Sequence, residues 1–158
     1  MWVVIAEAIL GLNDKAIEFF KMLNPIEHSK TKEQVLQYKV EPYVIPADVY
    51  GSGNLLGRGG WTWYTGSSGW FYKAGIEYIL GLRIEEGILS IKPCIPKEWK
   101  EYQIRYKYKT SIYNITIKNL SESHENIVKE FFIDGHKAQE KEVKLIDNGR
   151  IYEIEVII

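Results

Sequence analysis

The chain has 158 residues, enough for one ordinary domain or two small pieces, and its 46% hydrophobic and 26% charged content is that of a soluble globular protein. A formal net charge of -1 gives no bulk attraction for nucleic acid or an anionic membrane surface, and no apolar run approaches the roughly 20 residues of a membrane span. The single cysteine, Cys94, excludes an internal disulfide and fits a reducing compartment, so a cytoplasmic location is expected.

The opening MWVVIAEAILG is apolar but has no basic region before it, so it reads as a helix and not as a signal peptide. Trp2, Ile5, Ala6, Ile9 and Leu10 recur at helical spacing, and Gly11 suits the helix end. Asp14 suits the cap of a second helix carrying Ile17, Phe20 and Met22, which Asn24-Pro25 stops. Ser29 or Thr31 can cap a third helix, KEQVLQY, with Val35, Leu36 and Tyr38 inward. The prolines of EPYVIPADVY then impose extended chain, and the glycine-rich GSGNLLGRGG follows. A last helix is expected over 67–80, with Trp70, Phe71, Ala74 and Tyr78 on one face and Gly81 at its end. The first helix is apolar on most sides, and three or four helices are too few to cover it. The chain therefore reads as cut from a larger helical domain or as self-associating through that surface.

After Gly87 the period falls to two. ILSIKP, QIRYKYKTS, IYNITIKN, IVKEFFIDG, EKEVKLI and IYEIEVII read as strands, with Asp134-Gly135 and Asn148-Gly149 as tight-turn signals. The expected class is α+β, with helices first and an antiparallel sheet or sandwich second.

The chemistry is concentrated in GRGGWTWYTGSSGW, residues 57–70. It is a glycine-rich loop running into a helix start, where free amides favour an anion. Thr65, Ser67 and Ser68 offer hydroxyls, Gly66 allows close backbone approach, and Arg58 can add a bidentate charge. The competing reading is helix capping by Thr65 or Ser67 alone. The loop lacks the Lys-Ser or Lys-Thr of a P-loop, and it does not follow a strand in a βαβ unit, so nucleotide sites are disfavoured.

EPYVIPADVYG, GRGGWTWYTGSSGWFYKAGIEYILGLR and IKPCIPKEW, with NPIEHS ahead of YKVEPYV, resemble glycoside hydrolase family ninety-four. That family holds cellobiose and chitobiose phosphorylases and the carboxy-terminal module of cyclic β-1,2-glucan synthase, and the resemblance is nearest the synthase branch. It implies that residues 1–84 are the last helices of an α/α toroid and 85–158 a closing β-domain. It also implies phosphorolysis of a β-glucoside with inversion: phosphate attacks directly, and an Asp general acid protonates the leaving oxygen. Inorganic phosphate is then a co-substrate and no cofactor is expected.

On the same resemblance Thr65 and Gly66 contact phosphate, with Ser67 a weaker addition. The family's acid and its phosphate-binding Arg and His fall upstream, so the chain is expected to be a fragment without turnover of its own. Asp48 is read as an orienter of the loop and Glu41 as a cleft residue. Trp61, Trp63 and Tyr64 line a sugar subsite or pack as core. His28 fixes a helix junction, His124 and His136 sit in solvated loops, Lys97, Lys100, Lys107 and Lys109 are solvated, and Cys94 is buried and inert. No Cys/His spacing suggests a metal. The rival function is a non-catalytic β-glucan-binding or assembly module.

Overall fold

The computed structural model describes residues 1–121 and 126–158, so His124 lies outside the described residues. Helix α1, Trp2–Ile9, ends as its glycine requires: Gly11 takes φ 73°, its N–H donates to Ala8 (3.2 Å), and that of Leu12 donates to Glu7 (2.9 Å). Helix α2, Asn13–Leu23, starts one residue ahead of Asp14 with Leu12 at the cap position. Asp14 therefore serves the helix dipole from the first turn and not the cap. In α3, Lys32–Tyr38, Thr31 is the cap: it accepts from the Gln34 N–H (3.3 Å), and the Gln34 side chain accepts from the Thr31 N–H (3.1 Å). Only Tyr38 of its three apolar residues turns inward, because this short helix docks by its C-terminal end. Val35 and Leu36, expected inside, are 47% and 61% exposed. Helix α4, Thr65–Lys73, begins ahead of the expected Ser67 and runs without a break into a π-helical turn, Ala74–Ile79.

Eight strands follow: β1 Leu82–Glu85, β2 Ile88–Ile91, β3 Glu101–Tyr108, β4 Ser111–Lys118, β5 Glu130–Ile133, β6 His136–Lys137, β7 Glu142–Lys144 and β8 Ile151–Ile157. The six expected runs fall on β2, β3, β4, β5, β7 and β8. Strand β1 pairs with β2 around a turn whose central residues, Glu86 and Gly87, both have positive φ (52° and 77°). Strand pairing thus begins at Leu82, ahead of the junction expected at 84/85. Asp134 and Gly135, at φ 50° and 78°, form the expected hairpin turn between β5 and β6.

The sheets are β1-β2-β7 and β3-β4-β8-β5-β6. The expectation of purely antiparallel pairing fails at one place, since β4 and β8 run parallel. The reason is topological. Strand β7 joins the smaller sheet, so Asn148-Gly149 cannot close a hairpin; instead the Asn148 and Gly149 N–H groups donate to the Ser111 hydroxyl (3.0 and 3.1 Å).

Alternation along β4 buries Ser111, Tyr113, Ile115 and Ile117 and leaves a polar outer face, where Asn114 donates to Glu153 (2.7 Å) and Lys118 pairs with Glu155 (2.6 Å). Val4, Ala16, Ile17 and Ala74 from the helices share one core with Leu89, Ile95, Ile115, Phe131 and Val156 from the β half. Each such fully buried large side chain contributes about 1.5–3 kcal/mol.

The halves are joined at the end of the π turn, where several carbonyls are met from the β half. Arg83 donates to Glu77 (2.8 Å), Cys94 N–H to Ile79 (2.9 Å), the Tyr102 hydroxyl to Leu80 (2.6 Å) and Lys92 N–H to Gly81 (2.8 Å). Gly81 is required twice: its φ is +78°, and an added Cβ would lie 2.2 Å from the Lys92 carbonyl carbon. The Cys94 thiol donates to the buried Asn13 side chain (3.0 Å), and burial pushes its pKa to about 11.

Candidate functional site

The extended chain at 47–50 and the glycine loop at 57–61 form a short antiparallel ladder. Ala47 N–H donates to Trp61 (2.7 Å), Gly60 N–H to Asp48 (2.9 Å), Tyr50 N–H to Arg58 (2.9 Å) and Gly57 N–H to Tyr50 (2.9 Å). Gly59 N–H donates to the Tyr38 carbonyl (2.9 Å), which ties the loop to the end of α3. The glycines of GRGG are needed for close approach. A Cβ at Gly59 would lie 2.1 Å from a Val40 methyl, and one at Gly60 would lie 2.3 Å from the Asp48 carboxylate. Asp48 completes this arrangement by accepting from the Trp61 N–H (3.1 Å). That bond ties the end of the glycine loop to the extended chain.

The ladder delivers the chain to α4 through Trp63, held at φ 60°. Tyr64 occupies the cap position, and no side chain caps the helix, so neither Thr65 nor Ser67 plays the capping role that was the alternative. Ser68 instead donates back to the Thr65 carbonyl (3.1 Å). Ser67 N–H turns to Tyr64 (3.2 Å), leaving Thr65 and Gly66 at the open end of the helix.

Gly66 and Ser67 line a groove of about 540 Å³, together with Trp2, Tyr38, Asp48 and Trp70. Trp2 and Trp70 meet edge to face at 5.9 Å on one wall. Tyr38 lies in the floor, 3% exposed, with the His28 ring stacked on it at 4.8 Å; His28 Nε2 is 2.7 Å from the Met22 carbonyl. That bond pins His28 to the end of α2, the junction role expected of it. A larger cavity, about 970 Å³, lies beside Arg83, Lys92 and Glu142, away from every expected site residue.

Of the sequence-selected residues, the structure brings Asp48, Tyr64, Gly66 and Ser67 into one groove. Trp61 and Trp63 are each 70% exposed, which rules out core packing for them here; Trp61 leans on Tyr64 (5.2 Å) and Trp63 on Tyr43 (6.4 Å). Arg58 and Glu41 are exposed, and among the described residues neither side chain has an ion-pair partner. Trp2, Tyr38 and Trp70 are among the groove residues that sequence reasoning did not single out as site residues, since each reads as helix-face packing from spacing alone. Among the described residues no His/Cys/Asp/Glu group could hold a metal ion.

Residues 1–81 match the catalytic domain of the glycosyl hydrolase 94 superfamily. The chain belongs to that superfamily. Residues 82–122 match the C-terminal domain of glycosyl hydrolase family 65, so the two matches meet where the π turn gives way to β1. The chain is 45% identical over 127 residues to the cyclic beta-(1,2)-glucan synthase NdvB of Rhizobium meliloti (strain 1021), covering 80% of this chain and 4% of that protein. It is 34% identical over 120 residues to the N,N'-diacetylchitobiose phosphorylase of Vibrio furnissii, covering 75% of this chain and 14% of that one. It is 26% identical over 160 residues to the solabiose phosphorylase of Paenibacillus borealis, covering 97% and 20%. The chain thus spans only a small part of the length of these relatives. No helix among the described residues is long and apolar enough to cross a membrane.

Proposed function

We propose that this chain supplies the phosphate-contacting loop and a bracing β-domain to an inverting glycoside phosphorylase or glucan synthase acting on β-linked glucosides. On this reading residues 1–84 complete a helical toroid and 85–158 close it. Inorganic phosphate attacks the anomeric carbon, the bond from that carbon to the leaving oxygen breaks, and an Asp outside this chain gives that oxygen its proton. Thr65 and the Gly66 amide hold the phosphate with help from Ser67. Arg58, Trp61, Trp63, Tyr64 and Glu41 belong to the cleft around it, and Asp48 keeps the loop in place. The assembly works in the cytoplasm, and the exposed face of α1 is buried against further helices or a second copy.

The supporting observation is the uncapped start of α4 opening on a groove lined by Gly66 and Ser67. Free amides in a partly desolvated groove favour an anion. The chain alone is expected to show no phosphorolysis of cellobiose or chitobiose, since removing a general acid costs on the order of 10²–10⁴-fold in rate. Turnover by the purified chain would show that the acid lies within it and overturn that part of the reading.

Phosphate binding is tested by the rise in melting temperature in phosphate over chloride of equal ionic strength. Gly66→Pro, which removes the amide, and Thr65→Val are each expected to abolish most of the rise. Gly66→Ala, which keeps the amide, is expected to preserve it. Equal stabilisation of all three variants would remove these residues from the site. Stabilisation by a β-gluco-oligosaccharide with none by phosphate would favour a sugar-binding module instead.

A further inference from the structure

Among the described residues the sheets end at β1, β7, β6 and β3. The first three have four, three and two residues, short enough to offer little to a neighbouring chain, whereas β3 has eight and carries no strand on its outer side. Asn119 N–H donates to the Lys100 carbonyl (2.8 Å), but Ile112 N–H, opposite Lys107, turns away to Arg150 (3.0 Å). Bonding direction alternates along an antiparallel pair. Tyr102, Ile104, Tyr106 and Tyr108 therefore bond to β4, while Glu101, Gln103, Arg105 and Lys107 turn their N–H and C=O groups outward.

The side chains of those four residues are exposed, and among the described residues none of Glu101, Arg105 and Lys107 is in an ion pair. A row of charges on an edge usually repels a second strand. The order of this row does the opposite for an antiparallel copy of itself. With Ile104 on a two-fold axis, Glu101 lies opposite Lys107 and Gln103 opposite Arg105, each twice, and all four outward-facing residues fall into hydrogen-bonding pairs. On the half-buried inner face Tyr102 then meets Tyr106, an aromatic cross-strand pair. A slip of two residues one way sets Arg105 against itself. The same slip the other way sets Gln103 against itself and leaves Lys107 facing Trp99, outside the strand. A slip of one residue sets the inner face against the outer.

We infer that the outer edge of β3 is an interface for a second copy of this chain, paired antiparallel across Ile104 so that one sheet runs through both copies. Charge complementarity selects this occupant and this register, since the strand is its own complement only when Glu101 faces Lys107. The contact is separate from the exposed face of α1 and does not depend on the phosphate reading. It joins backbone groups and exposed charges and not a broad apolar surface, so the dimer is in a salt-sensitive equilibrium with its monomer.

The test is sedimentation equilibrium of the full chain at low salt, with two charge variants, Glu101→Lys and Lys107→Glu. Both positions are exposed, so neither variant disturbs the core. Each variant sets like charges opposite one another at two places, and its dimer dissociation constant is expected to rise about 10-fold over wild type. An equimolar mixture of the two is expected to dimerise about as well as wild type, because the lysines of one variant then face the glutamates of the other. Association through α1 is indifferent to these charges and to mixing. Self-association that neither variant weakens would therefore belong to another surface or register and overturn the inference. A mixture that associates no better than the variants alone would overturn it too, as would a wild-type chain that stays monomeric at about 1 mM.

Discussion

The two halves of this molecule are finished to different degrees. The β half supplies most of the shared core, with Leu89, Tyr113, Ile115, Ile117, Phe131 and Val156 almost wholly out of water. The helical half leaves Trp2, Ile9 and Leu10 from 66% to 71% exposed, and it holds its candidate site on a separate small cluster of Tyr38, Val40 and Val44. Where the β half is specified by alternation and volume, the site is specified by backbone hydrogen bonds and by glycines that admit close neighbours. The loop should therefore be open to rearrangement without disturbing the main core, and the core should be sensitive to changes far from the loop.

The largest expected effect lies where the halves meet. Gly81→Ala places a methyl against the Lys92 backbone at a positive φ, and no side-chain trimming relieves a backbone clash. A loss of about 3 kcal/mol or more is expected, seen as a melting temperature lower by roughly 10 °C or as failure to fold. Retention of wild-type stability would show that the halves are not joined there.

Next come paired truncations. Ile115→Ala is expected to cost about 2–5 kcal/mol by opening a cavity, whereas Leu10→Gln on the exposed α1 face should stay within about 0.5 kcal/mol and reduce self-association by light scattering. Similar losses at both positions would erase the contrast.

At the loop, Gly59→Ala is expected to cost about 1–2 kcal/mol and most of the phosphate stabilisation, because its Cβ meets a Val40 methyl at 2.1 Å. Adding Val40→Ala removes that methyl and should restore binding more than stability. Failure of the rescue would mean that the loop is held by something other than this contact.

The smallest effect concerns pH. Hydrogen bonds from the Thr110 side chain and N–H hold the Asp147 carboxyl below its ordinary value of 3.8. Its contribution is therefore present above that value and lost as pH falls through the lowered one. Thr110→Val should flatten slightly the decline in melting temperature between about pH 5 and pH 2, with little change at pH 7.

The strongest periodic signals carried furthest from sequence to structure. The alternation of IYNITIKN and IYEIEVII, the Asp134-Gly135 turn and the Gly11 helix end all appear as the spacing implied. Strand β1 was not legible because four residues between a helix and a Glu-Gly turn show no period, and Glu86 is not a usual residue at positive φ. The parallel β4–β8 pair was not legible either, since alternation reports faces and not direction. In the site, Thr65, Gly66 and Ser67 stood out through glycine and hydroxyl content at a helix start. Tyr38 did not, because spacing marks a residue as inward without saying that it lines a groove.

The position of β8 bears on how the molecule is made. Residues 151–157 lie between β4 and β5, so the larger sheet has no middle until they arrive. On the ribosome the β3–β4 hairpin forms early and waits with one edge of β4 unpaired while the intervening chain emerges. Its pairing partner lies 39 positions downstream at Ile112↔Ile151, a span whose closure slows folding and prolongs exposure of an edge that can recruit a neighbouring chain.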